Sequence, residues 1–431
     1  MRGFSLEETA NKDTFKSYVF FWVGQLFSIL GSSITQFIIV WWLTIVYENP
    51  TILSLASFAY LLPLTIVFLI AGVITDRWNR KKIIIIADSL QAFVTLIIII
   101  IFNLEIANPI LIIIINAFLG TFQGFHIPIV SAIVPTMIPK DKLSRMNGAN
   151  FLLTSFLQIL APIISAMLLA LFPIKIILWI DPITFLIALT PLFFIKIPLI
   201  KPEMISKKKN SFINDLKIGF KTLRLIPLIF MMLLIAMFVN FLMRPFSLLL
   251  PYFISFNHSG TASDLAFVDT FLYGGMIIGA LISSIKKSWK HSVSIYFMGE
   301  LIIMLTIGIF AVSPHGSFLF MAIVIAFYGL VIPIINTIYL TTMQLKVPAD
   351  KMGRISSIDY ALSMAISPIA TILAGPLGDL LGVPNLILYC SMIGIIISLI
   401  MWWITYSRLK NNGTNEFAIK ETKDYLTQIE S

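Results

Sequence analysis

The stretch GVITDRWNRKK occupies residues 72–82 and lies at the junction of two long apolar runs, 52–74 and 83–103. A helix needs about 20 mainly apolar residues to cross the hydrocarbon core of a bilayer. Both runs reach that length, and the stretch between them is dominated by basic side chains. The sequence here therefore predicts two antiparallel membrane helices joined by a short basic loop.

The same criterion, applied outward from this loop, predicts an all-α membrane protein with twelve transmembrane helices. The chain has 431 residues, of which 58% are hydrophobic and 12% charged. Soluble domains carry about 25% charged residues, so this composition excludes a soluble globular protein. Lipid cannot satisfy backbone polar groups, which makes helices the expected form of each apolar run. The predicted spans are 17–46, 52–74, 83–103, 109–134, 149–171, 174–195, 227–256, 264–284, 291–312, 316–343, 355–381 and 384–407.

Lysine and arginine predict the orientation of these spans. The chain holds 30 such residues, and with the N-terminus inside nearly all of them fall in inner segments. The two exceptions are Lys175, in an outer loop, and Arg244, inside a span. An excess of basic residues in short loops marks the cytoplasmic side. We therefore predict a multi-pass protein of a prokaryotic inner membrane with both termini cytoplasmic.

A repeated motif predicts that the spans form two related halves. The pattern P-x-D-K-[LM]-x-R occurs at 139–145, after the fourth span, and again at 348–354, after the tenth. Parallel six-helix repeats are typical of secondary transporters. We predict two pseudo-symmetric six-helix bundles joined by a polar linker. The predicted segments are 1–195 for the N-terminal bundle, 196–226 for the cytoplasmic linker, 227–410 for the C-terminal bundle and 411–431 for the cytoplasmic tail.

The 72–82 loop resembles the signature of the major facilitator superfamily, G-x-x-x-D-R-x-G-R-[KR], and departs from it at Asn79. The resemblance implies the major facilitator fold. It also implies a conformational latch in the loops at the inner face, although plain anchoring by positive charge would explain the same residues. The residues assigned to the latch are Gly72, Asp76, Arg77, Arg80, Lys81, Asp141, Arg145, Asp350 and Arg354.

Shorter stretches are similar to the macrolide-efflux and enterobactin-exporter branch of this superfamily. They include GQ at 24–25, GS at 31–32 and FHIP at 125–128. The resemblance implies export of amphipathic small molecules, with macrolide-like drugs as the substrate class. Proton antiport is the implied energy source, since the chain has no phosphate-binding G-x-x-x-x-G-K-[ST] loop. The segment around Pro162 departs from drug antiporters, because it keeps the proline of their fifth-span motif but not its glycines.

Ionisable residues inside predicted spans are candidates for function, because each is costly to bury in a membrane. Glu300 is the first candidate for proton coupling, and Asp181 and Asp269 are further ones. The alternative for Glu300 is that it is a neutral, buried acid without a role in coupling. The alternative for the two aspartates is that they lie at the membrane interface or pair with Arg244. The arginine itself is expected to bind an anionic group or to neutralise a carboxylate. Two further acids, Asp88 and Asp359, are expected to pair at the inner surface with Arg80, Arg145 or Arg354. A role as proton carriers is the alternative for both.

Polar and aromatic side chains on spans one, four, seven and ten are predicted to line the solute path. The first four share one helix face by their spacing, and a polar stripe should avoid lipid. Hydrogen bonding between helices is the alternative for each member. The candidates are Gln25, Ser28, Ser32, Gln36, Asn116, Gln123, His126, Asn240, Arg244, Tyr328 and Asn336.

The sequence leaves several functions to compare. The main hypothesis is a drug exporter working by alternating access. Alternatives are an exporter of a siderophore or lipid-like metabolite, and a non-transporting membrane receptor or scaffold. An enzyme is not expected, because the chain has neither an HExxH nor a GxSxG motif. We expect a monomer in contact with membrane lipid that binds a small molecule and H⁺, with no cofactor, no metal and no nucleic acid. The single cysteine, Cys390, excludes a disulfide framework.

Overall fold

The computed structural model describes residues 10–75, 79–195, 226–286, 289–347 and 349–411. Across these residues, twelve helical segments are long and apolar enough to cross a membrane, which confirms the predicted number. We number the helices α1 to α12 in the order of these segments. They are α1 Lys12–Tyr47, α2 Pro50–Thr75, α3 Arg80–Asn103, α4 Pro109–Met137, α5 Lys140–Leu171, α6 Ile180–Phe194, α7 Pro227–Tyr252, α8 Ala262–Ile285, α9 Ser292–Ala311, α10 Phe318–Lys346, α11 Ala349–Leu381 and α12 Val383–Asn411.

Asparagine side chains cap each of the first four helices, and Asn49 caps α2 by accepting a hydrogen bond of 3.0 Å from the backbone of Ile52. Asn11 accepts hydrogen bonds from the backbone of Asp13 and Thr14, and the Thr14 hydroxyl completes a capping box. Asn79 caps α3 and Asn108 caps α4 in the same manner. Each cap satisfies a backbone N–H that has no partner within the helix. Asn79 thus has a direct structural role at the position where it departs from the superfamily signature.

Two helices are less regular than the apolar runs predicted. The sixth span is split into a short turn, Ile174–Ile177, and the main helix α6. The seventh ends in a π-helical turn, Phe253–Asn257, directly after α7. Hydropathy fixes neither feature, because both depend on how the helix ends pack and not on how apolar they are.

The chain divides into two compact units. Unit 1 comprises Met1–Ile205 with Leu248–Tyr273, and unit 2 comprises Ser206–Ser247 with Gly274–Ser431. In unit 1, α1 packs against α6 and α5, and α4 packs against α2 and α3. In unit 2, α9 packs against α10 and α12. The bundle and linker boundaries drawn from the sequence stay a prediction.

Pairs of glycines bring helices into close contact in both units. In unit 1, a Cβ atom on Gly120 would lie 2.0 Å from the carbonyl oxygen of Tyr60 on α2. In unit 2, a Cβ atom on Gly275 would lie 2.2 Å from the carbonyl oxygen of Ala326 on α10. Gly124 and Gly279, one turn further on, meet the partner helix in the same way. Small residues four apart are a recognised device for close helix packing in membranes.

Gly275→Ala is expected to lower the thermal stability of the protein in detergent, whereas Gly274→Ala is not. The first substitution forces a methyl group into backbone atoms of α10, and overpacking of this kind costs roughly 1–3 kcal/mol. Gly274 has no atom within 4 Å of the position that its Cβ would take. Fluorescence-monitored unfolding of the two variants checks the prediction. Equal melting temperatures would show that α8 and α10 do not depend on this contact.

Candidate transport site

A buried polar cluster in unit 1 joins α1, α3 and α4. Nε2 of His126 on α4 lies 3.2 Å from Oδ1 of Asp88 on α3. That distance is within ion-pair range, although the ring nitrogen is not aligned for a hydrogen bond. The Gln25 side chain on α1 donates a hydrogen bond of 3.4 Å to the other carboxylate oxygen. Asp88 is only 9% exposed, so His126 and Gln25 rather than water provide the polar contacts of its carboxylate.

This cluster corrects the prediction for Asp88. The sequence assigned it an arginine at the inner surface, and that prediction was wrong. At 1.5 Å of rise per residue, Asp88 lies roughly 12 Å along α3 from Arg80, which is about two helical turns. The partner, His126, was predicted to line the solute path and Gln25 was predicted beside it. Both contact the Asp88 carboxylate between helices, and their place on the solute path stays a prediction.

A second carboxylate in unit 1 is fully engaged by hydroxyl groups. Oδ1 of Asp181 on α6 accepts a hydrogen bond of 2.7 Å from Ser32 on α1. Its Oδ2 accepts one of 2.7 Å from Thr95 on α3. Asp181 thus connects three helices of its own unit, and hydroxyls rather than an arginine satisfy its carboxylate. The other predicted acid of this unit, Asp269 on α8, is half-buried.

In unit 2, the candidate coupling residue Glu300 is deeply buried on α9. It is 4% exposed and lies roughly 12 Å from the Ser292 end of the helix. Its side chain lies next to the Tyr296 hydroxyl, one turn earlier. The Tyr296 hydroxyl in turn donates to the carbonyl oxygen of Met232 on α7, at 2.9 Å. The Tyr296 hydroxyl has one proton, which it donates to the Met232 carbonyl oxygen. A neutral Glu300 can donate its own proton to the Tyr296 oxygen. A charged Glu300 has no proton to donate and would compete with Met232 for the hydroxyl proton.

Tyrosines extend this network to a second acid of unit 2. The rings of Tyr296 and Tyr339 stack at a centroid distance of 6.0 Å. The Tyr339 hydroxyl on α10 donates a short hydrogen bond to Asp359 on α11. The sequence assigned Asp359 to a basic residue, and the partner that the structure shows is this tyrosine. The side chain of Arg354 lies outside the described residues.

Arg244 on α7 is held by one hydrogen bond within unit 2. Its Nε donates to the Thr371 hydroxyl on α11 at 2.8 Å, and that hydroxyl donates to the Ser367 carbonyl oxygen at 2.8 Å. Among the described residues of unit 2, no carboxylate lies within ion-pair distance of the guanidinium. A guanidinium carries five N–H donors, and the contact with Thr371 uses the one on Nε.

The remaining path candidates divide into bonded and exposed side chains. Asn116 donates to the Ala56 carbonyl oxygen at 3.1 Å, and the Tyr328 hydroxyl contacts the Met243 sulfur, so both connect helices within their units. Ser28 and Gln123 are half-buried. Three polar side chains stand exposed well inside their helices, namely Gln36, Asn240 and Asn336. Such groups are unfavourable against lipid, so they are the best remaining candidates for a water-lined path.

The structure describes only part of the predicted latch. Nζ of Lys81 donates to the carbonyl oxygens of Ile195, at 2.8 Å, and Phe193, at 3.4 Å, at the C-terminal end of α6. A cation is favourable there because helix C-termini carry partial negative charge. Asp141 and Arg145 are exposed near the start of α5. Gly72 belongs to the end of α2 and Arg80 to the start of α3. Asp76 and Arg77 lie outside the described residues, as do the side chains of Asp350 and Arg354.

Twelve apolar helices, with buried titratable side chains in both units, define an integral membrane carrier. The chain belongs to the Major Facilitator Superfamily, whose sequence pattern matches residues 21–368. This is the superfamily that the 72–82 loop indicated. Known relatives and structural neighbours are transporters rather than enzymes.

Two relatives of known name resemble the chain over much of its length. Macrolide efflux protein A of Streptococcus pyogenes is 28% identical over 386 residues, which cover 88% of this chain and 93% of that one. The enterobactin exporter of Shigella boydii is 23% identical over 319 residues, covering 73% of each. The solved structure of a D-xylose–proton symporter matches with a TM-score of 0.68 at 13% identity, over 96% of this chain and 99% of that one. That likeness concerns the fold alone.

Proposed function

We propose that this protein exports amphipathic small molecules, with macrolide-like drugs as the substrate class, by alternating access. The observation that carries the proposal is the resemblance to Macrolide efflux protein A across nearly the full length of both chains. The exposed polar residues Gln36, Asn240 and Asn336 support it, because they provide polar contacts within otherwise apolar helices. The exporter works as a monomer in the lipid of a prokaryotic inner membrane, with both termini cytoplasmic.

Proton antiport is the proposed energy source, and Glu300 is the proposed coupling residue. Burial away from water favours a neutral carboxyl group, and opening to water favours a charged one. A conformational cycle that changes the access of water to Glu300 therefore binds and releases a proton. Asp181 and Asp269 are secondary candidates, and the hydroxyl partners of Asp181 favour a structural role for it. The loop residues Gly72–Lys82, with their counterparts after α4 and α10, form the proposed latch.

Arg244 favours a second candidate function, the export of an anionic siderophore or lipid-like metabolite. Its guanidinium has no carboxylate partner among the described residues of its own unit. An uncompensated cation inside a membrane protein is costly unless it faces water or an anion. The enterobactin exporter among the relatives is consistent with such a substrate.

Transport into everted membrane vesicles tests the proposed function. Vesicles that contain the protein should accumulate radiolabelled erythromycin when their interior is acidic, and a protonophore should abolish the accumulation. Vesicles from cells that lack the protein are the control. Equal accumulation in both preparations, with erythromycin and with a panel of lipophilic dyes, would contradict drug export. Accumulation that persists without a pH gradient would contradict proton antiport alone.

A further inference from the structure

Asp88 in unit 1 and Glu300 in unit 2 are both buried acids about two turns into their helices. Asp88 is the ninth residue of α3 and Glu300 is the ninth residue of α9. These helices are the third of each predicted half, and each acid lies roughly 12 Å from the start of its own helix. Each is also linked to the first helix of its half, Asp88 through Gln25 on α1 and Glu300 through Tyr296 and the Met232 carbonyl on α7.

What differs between the two acids is the partner. Asp88 faces His126, the side chain whose ordinary titration lies nearest neutral pH. Nε2 of His126 lies 3.2 Å from Oδ1 of Asp88, so one proton can be bound by either group. With one proton bound, the pair has zero net charge, which is the state that burial favours. Loss of that proton leaves one negative charge, which the Gln25 amide helps to hold.

We propose that Asp88 and His126 form a second proton-exchange site, the counterpart in unit 1 of Glu300. In each cycle the pair takes up one proton and releases it again. Gln25 acts as a positioning residue that holds the carboxylate. The inference rests on proton antiport as the proposed energy source and adds a site to it.

The position of His126 within α4 suits a site that must change with conformation. Two residues later stands Pro128, which has no backbone N–H and leaves the Gly124 carbonyl oxygen without its helical donor. Gly124 itself contacts α2 closely, since a Cβ atom there would lie 2.9 Å from the Leu64 carbonyl oxygen. A shift of α2 against α4 therefore acts directly on the turn that carries His126.

Other charged groups on the helices around Asp88 lie at a distance from the pair. On α4 the one titratable residue is His126, and α2 has no charged residue over Pro50–Thr75. Asp181 on α6 meets α3 at Thr95, roughly 10 Å beyond Asp88, where hydroxyls engage both of its oxygens. The remaining charged residues of α1, α3, α5 and the turn before α6 stand at or near segment ends, namely Lys12, Asp13, Lys16, Arg80, Lys81, Lys82, Lys140, Asp141, Lys142, Arg145 and Lys175.

A direct test follows the titration of His126 in the purified, full-length protein without substrate. The chain has 4 histidines, and nuclear magnetic resonance of ¹⁵N-histidine-labelled protein resolves their ring signals. The signal lost in His126→Gln identifies His126. In Asp88→Asn the pH dependence of this signal should change, because the carboxylate oxygen 3.2 Å from Nε2 is replaced by a neutral amide. Glu48→Gln, at the end of α1, is the matched control and should leave the pH dependence unchanged. A His126 that does not titrate, or a pH dependence unchanged in Asp88→Asn, overturns the proposal.

A transport test then separates this site from the proposed function as a whole. In everted vesicles, Asp88→Asn should lower pH-gradient-driven accumulation of erythromycin at least about fivefold, the lower end of usual coupling between two sites. Exchange of labelled for unlabelled erythromycin without a gradient should persist, and Asp88→Glu should restore coupling. Full gradient-driven accumulation in Asp88→Asn overturns the proposal. If wild-type vesicles show no gradient-driven transport, proton antiport fails, while the His126 titration still decides whether the pair binds a proton.

Discussion

Glu300→Gln is expected to reduce strongly the part of export that a pH gradient drives, while exchange of substrate without a gradient continues. Glutamine keeps the size and hydrogen-bonding capacity of the side chain but cannot bind or release a proton. A hydrogen bond with Tyr296 can form, because the amide has both donors and an acceptor. The helix packing around α9 should therefore survive the substitution. We expect gradient-driven accumulation of erythromycin to fall by roughly 5- to 150-fold, the range of coupling free energies between linked sites.

Three controls make the result specific to the proton on Glu300. Glu105→Gln makes the same chemical change at an exposed residue between α3 and α4 and should transport normally. Tyr296→Phe removes the hydroxyl that joins Glu300 to the Met232 carbonyl oxygen, and it should weaken coupling less than Glu300→Gln does. Unfolding temperature in detergent shows whether each variant is folded. A folded Glu300→Gln protein with full gradient-driven accumulation would show that Glu300 is only a buried neutral acid.

The sequence predicted the helices well because their physical cause is local. A run of about 20 apolar residues crosses a bilayer as a helix whatever the rest of the chain does. The predicted helix ends were less accurate where a helix continues beyond its apolar run. The fifth span was predicted from residue 149, yet α5 begins at Lys140, and the eleventh was predicted from residue 355, yet α11 begins at Ala349. Both extensions are polar helical turns that hydropathy does not detect.

The candidate site was less predictable because it depends on contacts between helices. A single sequence showed that Asp88, Glu300 and Arg244 were unusual, since each interrupts an apolar run. It did not show which residue faces which, because that depends on helix rotation and register within each unit. The pairing of Asp88 with His126 was missed for this reason, although both residues stood out individually. The related positions of Asp88 and Glu300 became visible only when both helix starts were known.

Arg244→Ala is expected to abolish transport of anionic substrates and to leave transport of cationic macrolides largely intact. Nε of Arg244 is bound to Thr371, and Thr371 is bound in turn to the Ser367 carbonyl oxygen, so the guanidinium is held in one orientation. Its remaining donors form the planar fork that suits a carboxylate or phosphate group. Removal of one partner of a buried charge pair costs about 3–5 kcal/mol, which corresponds to more than a hundredfold in binding.

Arg244→Lys separates charge from geometry in this prediction. Lysine retains the positive charge but has no Nε to bond with Thr371 while its head group binds an anion. Binding of a catecholate siderophore and of erythromycin to the purified protein, measured by calorimetry, gives the comparison. If Arg244 recognises an anion by its fork, Arg244→Lys should bind the siderophore almost as poorly as Arg244→Ala and bind erythromycin like the wild type. Equal loss of both ligands would show instead that Arg244 stabilises the packing of α7 against α11, and the siderophore alternative would then lose its structural support.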